Sequence, residues 1–461
     1  MENHNIPRLV IAGTGSGVGK TTLVTGLLAV LKKRGFKVQS YKVGPDYIDP
    51  GYHQLASGQP AHNLDTWLVP REQLAQLFIK TAAGSDFAII EGVMGLYDGG
   101  RGGISSTAAI AKELVAPVIL VLDAKASGES IAATALGFKV YDPAVNLAGV
   151  IVNRLGSISH QEIVATALNR QGIDVFGYMF RRPDLAVKER HLGLTPVAET
   201  QATAAVAAMA EQVAKNVDID RLVLAAQSAL PLTASLSLSP NKAKTVKIGV
   251  AQDEAFSFYY PLSLAVLERL GAELVPFSPL RDKELPPVAG LIFGGGFPEM
   301  FLADLAANSQ IKAAIAGAAA AGMPIYAECG GLMYLARQIE DFDSRCFSMV
   351  GLVPAVCRMQ SKLETVGYVE ATAVKDNIFC RAGEALRGHE FHFSTMVLDE
   401  ADNFAWAFDF HKLRTGSVYP GGYANRNVLA SYLHLHLAGN QAAAERFVAK
   451  CQEFQQGGKE Q

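Results

Sequence analysis

Short apolar runs alternate with longer amphipathic stretches along the first half of the chain. The runs PRLVIAG, DFAIIEG, APVILVLD and LAGVIVNR are bounded by glycine or polar residues, which predicts buried parallel strands. Between them, stretches such as KTTLVTGLLAVLKKRG carry apolar residues at helical spacing. Strands that alternate with helices in this way predict a doubly wound α/β sheet.

This pattern stops at about residues 229–245 and then starts again. The segment ALPLTASLSLSPNKAKT has no long apolar run and is rich in Ser, Pro, Thr and Lys, as interdomain linkers are. After it, VKIGVAQ, ELVPFS, AGLIFGGG and MPIYAEC repeat the strand pattern. We therefore predict two doubly wound α/β domains, residues 1–232 and 246–455, joined by a linker over 233–245.

Composition narrows the class of protein. Apolar residues make up 49 % of the chain and charged residues 18 %, which is typical of a compact enzyme. The formal net charge is -3 and no long basic run occurs, so a nucleic-acid partner is not expected. The N-terminus MENHNIPRLV does not resemble a secretory leader, and no apolar run reaches the roughly 20 residues of a membrane span. We expect a cytoplasmic location and no membrane contact.

The five cysteines give little sign of a structural role. Their number is odd, all lie in the last third of the chain, and none forms a C-x-x-C pair. This argues against a disulfide framework or a zinc ribbon and is compatible with one reactive thiol.

The most specific N-terminal motif is VIAGTGSGVGKTT, from Val10 to Thr22. A strand enters a glycine-rich loop that opens a helix, and there backbone N–H groups and the helix dipole bind phosphate. Lys20 is expected to contact the terminal phosphates of ATP, and the Thr21 hydroxyl to ligate Mg²⁺. The loop is one residue longer than the common form. The other predicted phosphate contacts are Gly13, Thr14, Gly17, Gly19 and Thr22.

Acidic residues for the metal are expected where neighbouring strands end. Asp46 in KVGPDYIDP and Glu91 in AIIEGVMGLYDGG are in such positions. Because the carboxyl ends of parallel strands meet at one edge of the sheet, both are predicted Mg²⁺ ligands together with Thr21.

A second candidate site centres on Cys329 in MPIYAECGGLMYLA. The cysteine follows an apolar strand and precedes two glycines and a helix, a turn that exposes the thiol near a helix N-terminus. The run LASYLHLHLAG offers His434 and His436 on one face of a predicted strand, and we favour His434 as the base. The turn in LIFGGGFPEM supplies backbone N–H groups for an oxyanion, from Gly295 and Gly296.

Taken together, these motifs resemble the cobyrinate a,c-diamide synthase family over nearly the whole chain. The residues that carry the resemblance are AGTGSGVGKTT, KVGPDYIDPGYH, EGVMGLYDG, GGGFPE, YAECGGLMYL, GHEFHFS and SYLHLHL. The resemblance implies an N-terminal P-loop domain similar to dethiobiotin synthetase and a C-terminal class I glutaminase domain. In that family ATP activates two acetate carboxylates of a corrin precursor, and ammonia from glutamine converts them to amides.

The resemblance also implies roles for individual residues. Cys329 becomes the glutaminase nucleophile and His434 the group that activates it. Asp98 and Tyr47 are implied in binding the tetrapyrrole, and Asn153 in contacting adenine. His389 and His392 in RGHEFHFS match a family motif, and we expect them to support the glutaminase site. The expected partners are small molecules, with a homodimer as a further possibility.

One departure and two alternatives remain. The glutaminase superfamily ends its triad in His-x-Glu, whereas this chain has His434-Leu435-His436, so the base is expected to lack a carboxylate and glutamine hydrolysis to be slow. The same chemistry on hydrogenobyrinate or nickel-sirohydrochlorin fits the same motifs. A P-loop switch ATPase with a degenerate amidotransferase-like domain is the alternative from another class.

Overall fold

The computed structural model describes residues 2–182, 189–190, 193–194, 202–234 and 241–457. Contacts between residues divide the chain into two compact units, Met1–Ser237 and Leu238–Gln461. Part of the predicted linker, residues 235–240, lies outside the described residues. The exact domain boundaries therefore stay a prediction.

The first unit is built on a parallel seven-stranded sheet with the order β4-β3-β5-β2-β6-β7-β8. Because the strands are parallel, the loops that follow β2, β3 and β5 all lie at the same edge of the sheet. The strands are β2 (Arg8–Gly13), β3 (Val38–Val43), β4 (His62–Leu64), β5 (Phe87–Glu91), β6 (Val118–Asp123), β7 (Leu147–Leu155) and β8 (Val175–Phe180), and the short antiparallel pairs are β1 (Glu2–His4) with β11 (Leu232–Ala234) and β9 (Glu189–Arg190) with β10 (Gly193–Leu194).

Amphipathic helices connect these strands and bury their apolar faces against the sheet. Leu23, Leu27 and Leu31 recur at helical spacing in the first helix and are fully or almost fully buried. The helices are α1 (Lys20–Lys33), α2 (Asp49–Ser57), α3 (Arg71–Ala82), α4 (Thr107–Glu113), α5 (Ser130–Tyr141), α6 (Ile158–Arg170), α7 (Ala202–Asn216) and α8 (Ile219–Gln227), with a 3-10 helix at Arg101–Gly103.

The second unit contains a ten-stranded sheet whose first half is parallel and second half antiparallel. Its order is β13-β12-β14-β15-β24-β23-β22-β19-β20-β25, with parallel pairing up to β24. The strands are β12 (Val246–Ala251), β13 (Ala272–Phe277), β14 (Leu291–Phe293), β15 (Ile325–Glu328), β19 (Thr365–Ala373), β20 (Ala385–His392), β22 (Trp406–Lys412), β23 (Val418–Asn425), β24 (Val428–Ser431) and β25 (His434–Leu435).

A smaller four-stranded sheet and five helices complete the described part of this unit. The sheet has the order β17-β16-β18-β21. Its strands are β16 (Ala336–Glu340), β17 (Cys346–Ser348), β18 (Val353–Met359) and β21 (Ser394–Leu398); the helices are α9 (Pro261–Arg269), α10 (Leu302–Ala307), α11 (Ser309–Ala320), α12 (Gly330–Leu335) and α13 (Gln441–Gly457), with 3-10 helices at Pro298–Met300 and Ala401–Asn403.

The α/β class and the parallel strands predicted from the apolar runs are confirmed, but one strand differs. The run LASYLHLHL is broken after Ser431, and β25 holds only His434 and Leu435. The prediction that His434 and His436 share one face of a strand is wrong, since the chain leaves the sheet after Leu435. No helix within the described ranges is both long enough and apolar enough to cross a bilayer.

Candidate active sites

A glycine-rich loop joins β2 to α1 and lies around the side chain of Lys20. Lys20 Nζ donates to the carbonyl oxygens of Gly15 at 2.9 Å and Met94 at 2.6 Å. Gly19, just before the helix, has a φ of 95°, which residues with a Cβ rarely adopt. A Cβ on Gly19 would also lie 2.2 Å from the amide nitrogen of Asn153. The loop therefore requires glycine at this position for two reasons.

The ends of β3 and β5 bring a cluster of charged side chains to the same edge. Thr21 Oγ1 donates to Glu91 Oε1 at 2.7 Å and to Asp49 Oδ2 at 3.1 Å. Lys42 Nζ donates to Glu91 Oε1 at 2.7 Å and also binds Asp49. The fully buried His53 contacts the other Glu91 oxygen at 2.6 Å. The structure thus brings Thr21 and Glu91 together and adds Lys42, Asp49 and His53.

Asp46 lies at the margin of this cluster. Its Oδ1 accepts hydrogen bonds from the N–H groups of Ile48 at 2.8 Å and Asp49 at 3.1 Å, where α2 begins. Its Oδ2 is 3.8 Å from Lys42 Nζ. One oxygen therefore stabilises the start of the helix and the other faces the cluster, so Asp49 rather than Asp46 contacts Thr21.

The charges of the cluster depend on burial and on mutual contact. Burial opposes the ionisation of Glu91, but Lys42 and His53 outweigh it and hold the pKa of Glu91 far below its usual range. Burial also disfavours the charge of Lys42, yet the nearby carboxylates raise its pKa above the usual value. Burial, and then Asp46, raise the pKa of Asp49 to about 8. Lys42 and Glu91 therefore form a buried ion pair.

The oxygen atoms of Thr21, Asp49 and Glu91 are ligands of the kind that Mg²⁺ prefers. In the part of the chain that the structure describes, no three or more His, Cys, Asp or Glu side chains form a site that would hold a metal ion by themselves. Mg²⁺ usually binds through one or two carboxylates, waters and substrate phosphates. The donor set therefore fits a metal that arrives with ATP, in competition with Lys42 for the same carboxylates.

Two residues near the end of β7, Asn153 and Arg154, contact the phosphate loop from the side. Asn153 Nδ2 donates to the carbonyl of Val18 at 2.9 Å. Arg154 binds the carbonyl of Gly17 at 2.6 Å and the carboxylate of Asp123 at 2.8 Å. In this structure the side-chain amide of Asn153 contacts the protein backbone, and its contact with adenine stays a prediction.

The remaining predicted residues of the first site lie in or near the loop. Asp98 is exposed, and its Oδ2 accepts from Gly95 N at 2.9 Å. Tyr47 is half-buried and follows Asp46 at the end of β3. The other phosphate candidates lie in the loop or in the first turn of α1; these are Gly13, Thr14, Gly17 and Thr22.

In the second unit, Cys329 occupies a sharp turn between β15 and α12. Its φ of 46° and ψ of −100° are outside the regions that non-glycine residues favour. The turn is held by the hydrogen bond from Cys329 N to Ser431 O at 2.7 Å. A Cβ on Gly331 would lie 2.4 Å from the carbonyl oxygen of Phe293, so the helix packs directly on β14. The predicted strand–turn–helix around the thiol is present, but the prediction that the turn exposes the thiol is wrong, because Cys329 is buried.

The glycine turn after β14 meets this elbow. A Cβ on Gly330 would lie 3.2 Å from the backbone nitrogen of Gly296. The carbonyl of Gly295 accepts from Phe258 N at 3.0 Å, which fixes the turn. The backbone nitrogen of Gly296 therefore lies close to Gly330, whose own N–H interacts with the Cys329 thiol. Gly330 is a candidate oxyanion donor that sequence analysis did not identify.

His434 lies next to the same turn. A Cβ on Gly295 would be 2.7 Å from His434 Cε1. The adjacent ring atom, His434 Nδ1, is 3.6 Å from Glu328 Oε2. A carboxylate that the His434-Leu435-His436 motif does not supply therefore lies within ion-pair distance of the ring, and it comes from Glu328 at the end of β15. His436 instead packs on the ring of Tyr260 at 4.8 Å.

The two other predicted histidines lie within the same unit. His389 is directly opposite His434 in the β20–β25 pairing, and their rings stack at 4.9 Å. Its Nε2 forms a hydrogen bond with Tyr260 Oη at 2.9 Å. Burial, and then His434, hold the pKa of His389 well below its usual range. His392 stacks on Tyr432 at 3.8 Å.

The surroundings of Cys329 disfavour the thiolate in this structure. Burial, and then the charge of Glu299, raise its pKa far above the usual value, while the Gly330 N–H acts in the opposite direction. Its Sγ lies 3.9 Å from the carbonyl oxygen of Phe391. Thiolate formation therefore depends on a base and on changes around the thiol.

Comparison with known proteins assigns each of the two units to a domain family. Residues 9–194 match the CobQ/CobB/MinD/ParA nucleotide binding domain, and residues 247–442 match the CobB/CobQ-like glutamine amidotransferase domain. A cobyrinate a,c-diamide synthase of Dehalococcoides mccartyi is 45 % identical, with 98 % of this chain and 99 % of that protein covered. The chain belongs to the cobyrinate a,c-diamide synthase family.

Other members of this family are similarly close. The cobyrinate a,c-diamide synthase of Salmonella typhimurium is 42 % identical over 95 % of this chain and 97 % of its own length. A hydrogenobyrinate a,c-diamide synthase of Streptomyces coelicolor is 40 % identical over 97 % of this chain and 98 % of its own. Family membership agrees with a nucleotide site and a glutaminase site on one chain.

Sequence reasoning missed several residues of these sites for different reasons. Asp49 and Lys42 are in the same KVGPDYIDP segment as Asp46, and a count of acidic residues at strand ends does not say which of them points inward. His53, one turn into α2, carried no signal before the helix was placed. Glu328 was beside Cys329, but its partner His434 is more than one hundred residues away in sequence.

Proposed function

We propose that this chain uses ATP and glutamine to amidate the a and c acetate carboxylates of cobyrinate. One observation supports the proposal most directly: this chain has both a phosphate loop beside an acidic cluster and a sharp cysteine turn beside His434. The first site is suited to activating a carboxylate, and the second to releasing ammonia from glutamine.

In the ATP half, a substrate carboxylate oxygen attacks the γ-phosphorus, ADP leaves, and an acyl phosphate forms. Ammonia then attacks the acyl carbon, and inorganic phosphate leaves as the amide is completed. Lys20 would neutralise charge on the transferred phosphoryl group. Thr21, Asp49 and Glu91 would hold Mg²⁺, with Asp46 nearby, and the metal would neutralise phosphate charge when bound.

Three further roles in this half are part of the proposal. Asp98 and Tyr47 would contact the tetrapyrrole, and Asn153 would contact adenine. Their support is their place in or next to the loops at the phosphate edge of the sheet.

In the glutaminase half, His434 takes the proton of the Cys329 thiol as the sulfur attacks the glutamine amide carbon. The N–H groups of the glycine turn and of Gly330 would bind the oxyanion. The imidazolium then gives its proton to the leaving ammonia, which leaves a thioester that water hydrolyses to glutamate. Because burial disfavours the thiolate, we expect glutamine hydrolysis alone to be slow.

The choice of tetrapyrrole has one specific alternative. The relative from Streptomyces coelicolor is a hydrogenobyrinate a,c-diamide synthase at 40 % identity, only slightly below the cobyrinate enzymes. Cobyrinate is our first choice because several of the most similar relatives carry that name. In cobyrinate, cobalt is part of the substrate.

The test is amidation by purified protein with ATP, Mg²⁺ and either glutamine or ammonium chloride, with cobyrinate and hydrogenobyrinate compared. The wild type should add two amides, with glutamate released when glutamine is the donor. Cys329→Ala should lose activity with glutamine and keep it with ammonium chloride. No amidation of any tetrapyrrole dicarboxylate with either donor would refute the proposal. Light scattering during purification would test the predicted homodimer.

A further inference from the structure

We propose that Glu328 is the positioning carboxylate of His434, in place of the acidic residue that other glutaminases carry two positions after the histidine. The inference rests on the glutaminase function proposed above. It concerns a residue that neither the family descriptions nor the sequence pattern assigns.

Glu328 ends β15 directly before Cys329, and it is 9 % exposed. A buried carboxylate needs hydrogen-bond donors, because desolvation of an unpaired charge is costly. Tyr326 Oη donates to Glu328 Oε1 at 2.5 Å, and Leu435 N donates to the same oxygen at 3.1 Å. Both donors bind Oε1, which leaves Oε2 directed to His434 Nδ1 at 3.6 Å.

The support behind the carboxylate is rigid. Tyr326 and Glu328 lie two residues apart on a strand and so share one face. The Tyr326 ring packs on Phe379 at 4.3 Å and on Phe447 at 6.5 Å. Burial, and then Glu328, raise the pKa of Tyr326 well above its usual value, so the phenol stays protonated and donates. The carboxylate is thereby fixed in orientation.

The histidine ring is held on several sides as well. His389 stacks on its face at 4.9 Å with an interplanar angle of 12°. The glycine turn blocks the edge at Cε1. The His434 atoms nearest a Cβ on Gly295 are Cε1 at 2.7 Å and Nδ1 at 3.5 Å, so the glycine turn and Glu328 both lie on the Nδ1 side of the ring. Glu328 would thus keep the proton on Nδ1 and leave Nε2 to accept from the thiol.

A purely structural role predicts different behaviour. If Glu328 only bound Tyr326 and Leu435, a glutamine amide oxygen would replace it with no effect on the thiol. If it acts on His434, loss of the negative charge weakens the imidazolium that pairs with the thiolate, even when the fold is kept. The variant Glu328→Gln separates the two roles.

The chain offers a matched control. Glu390 is also a buried carboxylate that accepts from a tyrosine, Tyr419, and it lies 3.7 Å from the Nε2 of a histidine, His392. Glu390→Gln therefore removes a similar charge next to a different histidine. Tyr326→Phe keeps the Glu328 charge and removes only one donor.

The experiment measures glutamate release, ammonium-dependent amidation of cobyrinate, and the rate of Cys329 alkylation by iodoacetamide at pH 8. We expect Glu328→Gln to lower kcat/KM for glutamine by about 30- to 1000-fold, mostly in kcat. Activity with ammonium chloride should stay within about twofold of wild type. The rate of alkylation at pH 8 should fall about tenfold, because a thiol pKa raised by about one unit lowers the thiolate fraction about tenfold. Glu390→Gln should change kcat/KM and the alkylation rate far less than Glu328→Gln does, and Tyr326→Phe should also have a smaller effect.

The alkylation rate depends on all ionisable groups around the pair, so each variant is compared with wild type under the same conditions. Those groups are Glu328 and His389 beside His434, and Glu299, Cys357 and Tyr432 near the thiol. An unchanged kcat/KM and alkylation rate in Glu328→Gln would overturn the proposal. Loss of ammonium-dependent activity as well would also overturn it, since it would assign Glu328 to the fold. If wild type amidates no tetrapyrrole, the proposed function fails, and the alkylation comparison still decides the role of Glu328.

Discussion

Replacement of Lys42 by methionine tests whether the cluster beside the phosphate loop depends on one buried cation. The Lys42 side chain is 5 % exposed and binds Glu91, which is fully buried, and Asp49. Methionine has a similar length but leaves the fully buried Glu91 carboxylate without the ammonium group that pairs with it. Removal of one partner from a buried ion pair typically costs about 3–5 kcal/mol.

That cost should appear as a large change in thermal stability. For a unit of this size, about 1 kcal/mol corresponds to about 2–4 °C, so Tm should fall by about 6–20 °C. The relevant transition in scanning calorimetry of the full chain is the one that ATP shifts. Lys112→Met is the control, because it removes a lysine whose side chain is 39 % exposed and whose partner is Asp142. An exposed pair of this kind should contribute far less.

The pH dependence gives a second readout with a defined sign. In wild type the pKa of Glu91 is lower in the folded than in the unfolded state. Ionised Glu91 therefore stabilises the fold fully above the unfolded pKa, and this stabilisation is lost as pH falls through the folded pKa. Without Lys42, only the contact with His53 opposes burial, so we expect the pKa of Glu91 to rise above the unfolded value. The folded variant then binds more protons than the unfolded chain, so its stability should fall as pH rises from 5 to 8. A Tm within about 2 °C of wild type at pH 8, or a variant less stable at pH 5 than at pH 8, would refute this reasoning.

Two further predictions follow from other positions. Burial, and then Lys42, lower the pKa of Lys20 to about 8, so the Kd for ATP should rise by up to about tenfold per pH unit above 8. The variant Lys20→Arg keeps its charge and should show no such pH dependence in titration calorimetry. A wild-type Kd that stays constant up to pH 9.5 would contradict this prediction. Gly331→Ala should lower the free energy of unfolding of the second unit by about 1–3 kcal/mol in denaturant, because the new Cβ would meet the Phe293 carbonyl. Gly317→Ala, on α11 with no atom near the new Cβ, should be neutral or stabilising. Equal stabilities of the two variants would contradict the packing argument.

The sequence was sufficient to predict the contacts that depend on strand ends alone. Thr21 follows β2 and Glu91 ends β5, and parallel neighbours in a sheet bring their carboxyl ends together, so their meeting could be expected before the structure. The same argument could not choose between Asp46 and Asp49. That choice depends on where α2 begins, and Asp46 Oδ1 is used by the N–H groups of its first turn.

The glutaminase site shows a different limit. A motif search looks for the acidic residue near the histidine in sequence, and here that position holds His436. The carboxylate comes instead from β15, which pairs in parallel with β24 so that Glu328 is opposite Ser431. The break after Ser431 then turns the chain so that His434 faces Glu328. Spatial proximity here depends on strand register and on an irregular link, and neither can be read from residue spacing.

The two sites share a physical feature that bears on how substrates bind. Lys20 donates to two backbone carbonyls, Glu91 is paired with Lys42, and burial disfavours the Cys329 thiolate. A phosphate or a metal ion that binds must therefore replace hydrogen bonds and ion pairs that these groups already make within the protein. The free energy of binding is then only the difference between the new interactions and the ones they replace. Contacts that resemble tight binding sites should consequently give moderate affinity. The interactions of these groups become strongest when charge develops on the transferred phosphoryl group or on the attacking sulfur. Such groups stabilise the transition state more than the bound substrate, and this difference accelerates the reaction.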